Sequence, residues 1–259
     1  MDSDLAQHYS DIAEDDRLTR TPHGRLEFVR TQELVRRVLV TPMAVLDVGG
    51  ATGVHARWLA ADGHSVQLID PVPRHIEAAA SVPGVTARLG DARQLPVGDG
   101  SADAVLLLGP LYHLTESEDR ATALAEARRV LRPGGVLIAA GISRYLSILE
   151  TGSTGRLDDQ LAPSVSAVIA SGDYDGHVGF VRTHWHTAEE LRAEVRCAGF
   201  GDVEVYGVEG PSWPALDHAG LAELPTLLRA ALDCARLLER DPLMINTSAH
   251  LLAIARLDQ

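Results

Sequence analysis

Three clusters of residues carry chemistry in this chain. The first runs Val-Leu-Asp-Val-Gly-Gly-Ala-Thr-Gly from Val45 to Gly53: a strand pattern breaks into a glycine-rich turn, and a helical pattern with Val54, Trp58 and Leu59 on one face follows at once. Glycine has no Cβ, so such a turn lets the backbone approach a ligand closely at the carboxyl edge of a parallel sheet. The second is Tyr112-His113, just after an apolar strand pattern, Asp103–Leu108, breaks at Gly109-Pro110. A neutral imidazole near neutral pH is a ready general base. The third is His184-Trp185-His186, whose alternation puts both histidines on one face of a strand and Trp185 on the other. Two histidines at this spacing suit a metal, but no third ligand stands near them in the sequence. They are read as pocket-lining residues, with no metal.

The elements that must position these groups alternate between strand and helix. Ser65–Asp70 reads as a second buried strand, ending in an acid 23 residues after Asp47. An acid about 20 residues beyond a glycine loop is where a doubly wound fold holds ribose hydroxyls. Val85–Leu89 is a third strand, followed by Gly90-Asp91-Ala92, and Glu126–Ala140 reads as a helix closed by Pro133-Gly134-Gly135 before a fifth strand. The dinucleotide fingerprint fails here: counted from Gly49, its third and sixth glycines are Ala51 and Val54. All 23 basic residues are arginine, which excludes a phosphate loop ending in Gly-Lys-Ser/Thr and any lysine Schiff base.

The ordered series Asp47–Gly53, Asp70, Gly90–Ala92, Asp103–Pro110 and Leu131–Ile138 resembles the class I S-adenosylmethionine-dependent methyltransferases of the small-molecule type, over about residues 30–142. Ala51 departs from that pattern, standing where the family has its middle glycine; its methyl is expected to fit if the backbone stays right-handed. The resemblance implies an α/β fold: a Rossmann-like, seven-stranded, mostly parallel sheet with a final antiparallel strand, an N-terminal helical lid and an insertion after strand five. It implies S-adenosyl-L-methionine as cofactor and S-adenosyl-L-homocysteine as product. Cofactor contacts are then expected from Arg30 (to the methionine carboxylate), Asp47, Gly49, Gly50, Gly53, Asp70, Asp91 and Ala92 (to the adenine), Leu108 and Gly109. His113 and Tyr112 are the catalytic candidates. Tyr9, Tyr112, His113, Arg144, His184, Trp185 and His186 are the candidates for acceptor contact. One domain is expected: a lid over 1–40, a cofactor-binding core over 41–142, a pocket roof over 143–185 and the end of the sheet over 186–259.

Bulk properties agree. A chain of 259 residues, 46% hydrophobic, can bury a sizeable core. It has no apolar run of about 18 residues to span a bilayer, and its acidic start lacks an export signal's layout, so a cytoplasmic protein without a membrane partner is expected. A net charge of −13 disfavours nucleic acid as a partner. So does Gly109-Pro110-Leu111-Tyr112, which departs from the Asn/Asp-Pro-Pro-Tyr/Phe of enzymes that methylate base amines. The expected partner is a small-molecule acceptor, largely apolar or carboxylate-bearing, for a monomer or homodimer. Two alternatives use other chemistry: cyclisation or cleavage of the same cofactor without methyl transfer, and an NAD-dependent oxidoreductase, against which the glycine spacing argues.

Overall fold

The computed structural model describes residues 17–177, 180–217 and 223–258. Its elements are α1 (Arg17–Arg20), α2 (Pro22–Arg36), β1 (Ala44–Val48), α3 (Val54–Ala61), β2 (Ser65–Asp70), α4 (Pro73–Ala79), β3 (Val85–Leu89), β4 (Ala102–Leu107), α5 (Pro110–His113) and α6 (Ser117–Val130). There follow β5 (Leu131–Ile142), α7 (Leu146–Ser153), α8 (Ala162–Ser171), β6 (Asp173–Tyr174), β7 (Thr183–His184), α9 (Ala188–Cys197), β8 (Gly201–Gly207), α10 (Trp213–Leu216), α11 (Leu224–Leu238) and β9 (His250–Arg256). Seven strands form one sheet in the order β3-β2-β1-β4-β5-β9-β8. The first five are parallel, and β9 runs antiparallel to both its neighbours. The expected architecture is present. The chain steps outward from β1 to β3, then returns to lay β4 on the other side of β1. At that reversal the turns leaving the two carboxyl ends diverge and open a crevice.

Apolar strands buried on both faces build the two cores. Along β4, Val105 and Leu107 pack with Leu124, Leu191 and Val195, while Ala104 and Leu106 pack with Leu34, Leu59 and Leu68 on the opposite face. This is the period of two that a pleated strand imposes. Burial of each such Val or Leu contributes about 1.5–3 kcal/mol, so the register of β1 and β4, and with it the height of their turns, is strongly set.

Local details differ from the sequence reading. Thr21 and Pro22 open α2: the Thr21 side chain accepts from the Gly24 backbone N at 3.1 Å and Pro22 occupies the first helical position. An N-cap threonine followed by proline pre-forms a helix start. The insertion carries a short antiparallel pair, β6 with β7, that the sequence reading did not anticipate. Thr187 does cap α9 through a capping box with Glu190, as its spacing predicts.

Arg30 is a correction. Its side chain is fully buried, with Nε donating to the Val208 carbonyl at 3.2 Å and its terminal nitrogens donating to Glu33 at 2.5 Å and Glu239 at 2.6 Å. It does not line the cavity described below. Its work is to bind α2 to the chain beyond β8 and α11. Without Arg30, Glu33 keeps Arg236 and Glu239 keeps Arg37, so the loss is that of charge-assisted hydrogen bonds, about 1.5–3 kcal/mol. Arg30→Met is therefore expected to lose about that much stability in denaturant unfolding while keeping its affinity for S-adenosylhomocysteine within about twofold. A large affinity loss with normal stability would return Arg30 to the ligand.

Candidate active site

The turn after β1 lies beside the crevice. Gly49 (φ +69°), Ala51 (φ +48°) and Gly53 (φ +89°) all adopt left-handed backbone. The right-handed geometry expected for Ala51 is thus overturned: the loop's path demands the left-handed region, at a cost of about 1–2 kcal/mol for a residue with a Cβ. Two bonds to β2 hold the turn, Gly49 N to the Ile69 carbonyl at 2.7 Å and Ala51 N to Asp70 Oδ2 at 2.9 Å. Gly50 is required by close approach, since a Cβ there would sit 2.6 Å from Asp47 Oδ2 and 2.7 Å from Leu68 Cδ1.

Asp70 ends β2 almost fully buried. Besides Ala51 N, its carboxylate accepts from the Val72 backbone N and from His75 Nδ1, each at 2.9 Å. A carboxylate offers about four lone-pair directions, so Asp70 shapes the loop and still presents an acceptor to the cavity it lines. Asp47 lies beneath the same loop. Burial pushes its carboxyl up to about 7, the nearby Asp70 charge adds to the rise, and a backbone hydrogen bond from Ala56 opposes it. Among the described residues its Oδ2 has no hydrogen-bond partner. Asp91, at the exit of β3, arrives already bonded: Arg93 donates to both its oxygens, at 3.0 and 2.7 Å, and reaches Asp119 at 2.8 Å.

One cavity of about 940 Å³ joins these turns. Of the expected cofactor contacts, Asp47, Gly49, Gly50, Asp70, Asp91, Ala92, Leu108 and Gly109 line it, whereas Gly53 does not. Gly53 faces the other way: a Cβ there would meet Val82 and Ala79. Tyr112 and His113 line it from α5. The Tyr112 hydroxyl donates to the Leu108 carbonyl at 3.1 Å, and the His113 ring lies 4.6 Å from that of Tyr112 and 5.8 Å from that of Phe180. The roof segment contributes Phe180, Val181 and Arg182.

The other expected acceptor contacts lie elsewhere. Tyr9 falls outside the described residues. Arg144 does not line the cavity, because its guanidinium donates to the carbonyls of Trp185, Ala170 and Ser171 and pairs with Glu190. Trp185 is buried in the insertion's own core, stacked on Tyr174 at 4.2 Å. His184 and His186 do share a face, with rings 4.7 Å apart, but that face meets Glu194 of α9, away from the cavity. Their three ligand atoms are close enough to hold a metal. Arg120, however, donates to both Glu194 oxygens at 2.8–3.1 Å, which puts a fixed cation where a metal would need the carboxylate. With His186 and Arg120 bonded to it, Glu194 is held down at about 2, against the opposing effect of its burial, and burial lowers His184 to about 4.

The sequence reading missed a whole wall. Glu27 and Thr31 of α2, Ala140 of β5, Val208, and His250 and Leu252 of β9 line the same cavity. Glu27 and Thr31 sit on a helix read only as part of a lid, with no residue of its polar side singled out except Arg30, and His250 opens an apolar strand. No local pattern marks either.

Comparison with known proteins fits this geometry. Residues 46–139 match a family profile described as a methyltransferase domain. An uncharacterized methyltransferase of Mycobacterium tuberculosis is 40% identical over 94 residues, 36% of this chain and 37% of that protein; the matched segment thus spans little more than a third of the length of such mycobacterial relatives. A demethylmenaquinone methyltransferase of Tropheryma whipplei is 36% identical over 185 residues, 69% of this chain and 71% of that protein. The fold is that of the N-methyltransferase NodS from Bradyrhizobium japonicum in complex with S-adenosyl-L-homocysteine, with a TM-score of 0.60 at 18% identity, covering 99% of this chain and 98% of the other. It is equally that of a Thermotoga maritima S-adenosylmethionine-dependent methyltransferase, with a TM-score of 0.59 at 20% identity over 91% of each chain. The chain belongs to the class I S-adenosylmethionine-dependent methyltransferases. Among the described residues no helix is long and apolar enough to cross a membrane.

Because the folded pKa of Asp47 lies above its unfolded value of 3.8, folding takes up a proton between about pH 4 and 7. The stability this group supplies is therefore full in acid and falls as pH rises through about 7. Asp47→Asn removes that dependence: its melting temperature relative to wild type should climb from pH 5 to pH 8, by an amount reflecting roughly 2–4 kcal/mol. A gap that stays flat or narrows in thermal unfolding would mean Asp47 is charged throughout.

Proposed function

We propose that this protein transfers a methyl group from S-adenosylmethionine to a small-molecule acceptor in the cytoplasm, through one domain whose N-terminal helices act as a lid. The observation that carries this reading is the single cavity onto which Asp47, Asp70 and Asp91, from three different strand exits, all open. Bound there, the sulfonium supplies an electrophilic methyl group for in-line displacement, so positioning and exclusion of water are the protein's main tasks. Gly49 and Gly50 let backbone approach the ligand, Asp70 accepts from the ribose hydroxyls, and Asp91 with Ala92 receives the adenine. Leu108 and Gly109 form the neighbouring wall, while Tyr112, His113 and Phe180 shape the acceptor's side and shield it from water. Relatives named for demethylmenaquinone methylation support a small acceptor.

Calorimetric titration tests this directly. S-adenosylhomocysteine should bind the wild type, and Asp70→Asn should weaken it by about 1.5–3 kcal/mol, roughly ten- to a hundredfold, as for lost charge-assisted hydrogen bonds. Mass spectrometry of turnover mixtures should find S-adenosylhomocysteine accompanying every methylated product. If neither form of the cofactor binds, the reading fails; if the cofactor is consumed to other fragments, cyclisation or cleavage replaces methyl transfer.

A further inference from the structure

The wall over β9 and β8 brings together three groups that are far apart in sequence. Glu209, just beyond β8, is 1% exposed and holds one residue twice: its Oε2 accepts from the His250 backbone N at 2.9 Å, and its Oε1 pairs with His250 Nδ1 at 2.7 Å. A carboxylate only accepts, so Nδ1 carries the proton and Nε2 is the basic nitrogen of the ring. His250 lines the cavity; Glu209 does not, standing behind it. This is the arrangement of a general base with its orienting acid, in which the acid sets the tautomer and stabilises the imidazolium when it forms. Glu27 of α2 lines the cavity beside it, with Oε2 3.8 Å from His250 Nδ1. One helical turn before Glu27, His23 is paired with Asp217. Around the histidine the floor is apolar, formed by Ala140, Val208 and Leu252.

The charge of the cavity says what such a base would act on. Among the described residues its lining acids are Glu27, Asp70, Asp91, Glu116 and Asp119, with Asp47 raised by burial to about 7, against two arginines, Arg93 and Arg182; Glu27 is the acid beside His250. Arg93 is already bound between Asp91 and Asp119. A carboxylate-bearing acceptor would meet like charge there. A cation would be drawn in, and partial dehydration strengthens that attraction. An alkylammonium, with a pKa of about 10 as in lysine, must also lose a proton before its nitrogen can act as a nucleophile.

We propose that the acceptor of the methyl-transfer reading above, on which this inference rests, is a primary or secondary amine, held as its ammonium against Glu27 and deprotonated by His250 Nε2. The proton passes from nitrogen to Nε2 and its bonding pair stays on nitrogen as the nucleophilic lone pair. The imidazolium, stabilised by Glu209, then releases the proton to solvent. His250 is the catalytic residue and Glu209 its positioning residue.

The test uses the full chain saturated with S-adenosylhomocysteine, titrated calorimetrically with three probes of one shape: phenethylamine, 2-phenylethanol and 3-phenylpropanoate. Phenethylamine should bind at least tenfold more tightly than either of the others. Glu27→Gln should lose at least tenfold of the amine's affinity while S-adenosylhomocysteine stays within twofold. In wild-type protein with ¹⁵N-labelled histidine, the ring signals absent from His250→Gln should show Nδ1 protonated and Nε2 bare. Adding phenethylamine should shift Nε2, and Glu209→Gln should abolish the fixed tautomer. Equal or tighter binding of the alcohol or the carboxylate overturns the amine assignment, as do His250 signals that ignore the amine. A Glu27→Gln variant that weakens S-adenosylmethionine but not phenethylamine makes Glu27 the counter-charge of the sulfonium and overturns it too. Failure of S-adenosylhomocysteine to bind at the outset instead removes the methyl-transfer reading; binding without discrimination among the probes removes only this proposal.

Discussion

The Asp70 carboxylate is the joint on which the site depends. It accepts from the Ala51 backbone N, from Val72 N and from His75 Nδ1, so one side chain fixes the glycine loop after β1, the turn after β2 and the start of α4. The loop it holds contains a residue with a Cβ in left-handed backbone. Such strain persists only where the surroundings over-determine it, and the bond from Ala51 N to Asp70 is part of that determination. Its charge also adds to the rise that burial gives the Asp47 pKa. Loop geometry and site electrostatics are therefore one problem, solved by one acid.

Helix α2 serves two masters by helical periodicity. Residues four apart share a face. Glu27 and Thr31 line the cavity, while Leu26 and Arg30 are fully buried, Leu26 among Trp213 and Leu216 and Arg30 against Glu33 and Glu239. The wall opposite the glycine loop is thus anchored to the last third of the chain. That wall is also where the acids and the Glu209–His250 pair meet. The polar face of this helix becomes cavity lining because α10 and α11 cover its other side.

The insertion after β5 is held by a separate polar network. Arg120 of α6 donates to the carbonyls of Leu114 and Thr115, which line the cavity, and to Glu194 of α9, which in turn pairs with His186. His186, read as a pocket residue, instead ties the end of the insertion to α9. The link from His186 to the cavity runs through Glu194, Arg120 and the loop that Arg120 holds.

What the sequence determined alone depends on near neighbours along the chain, though not every such detail: the left-handed backbone of Ala51 was missed. The strand–glycine–helix turn, the acid at the tip of β2, the capping box at Thr187 and the alternation of His184 and His186 all follow from short-range backbone and pleat geometry, and each appears where its pattern places it. The mostly parallel seven-stranded sheet with its antiparallel last strand was expected from the family resemblance those motifs carry; the strand order appears only in the fold. Only the tertiary structure decided which polar side chains face the cavity. Arg30 finds its partners 178 and 209 residues away, and His250 meets Glu209 across 41 residues and Glu27 across the sheet's far strands. A buried charge goes to whichever opposite charge the packing brings within reach. That partner is set by the fold of the whole chain, and no local spacing encodes it.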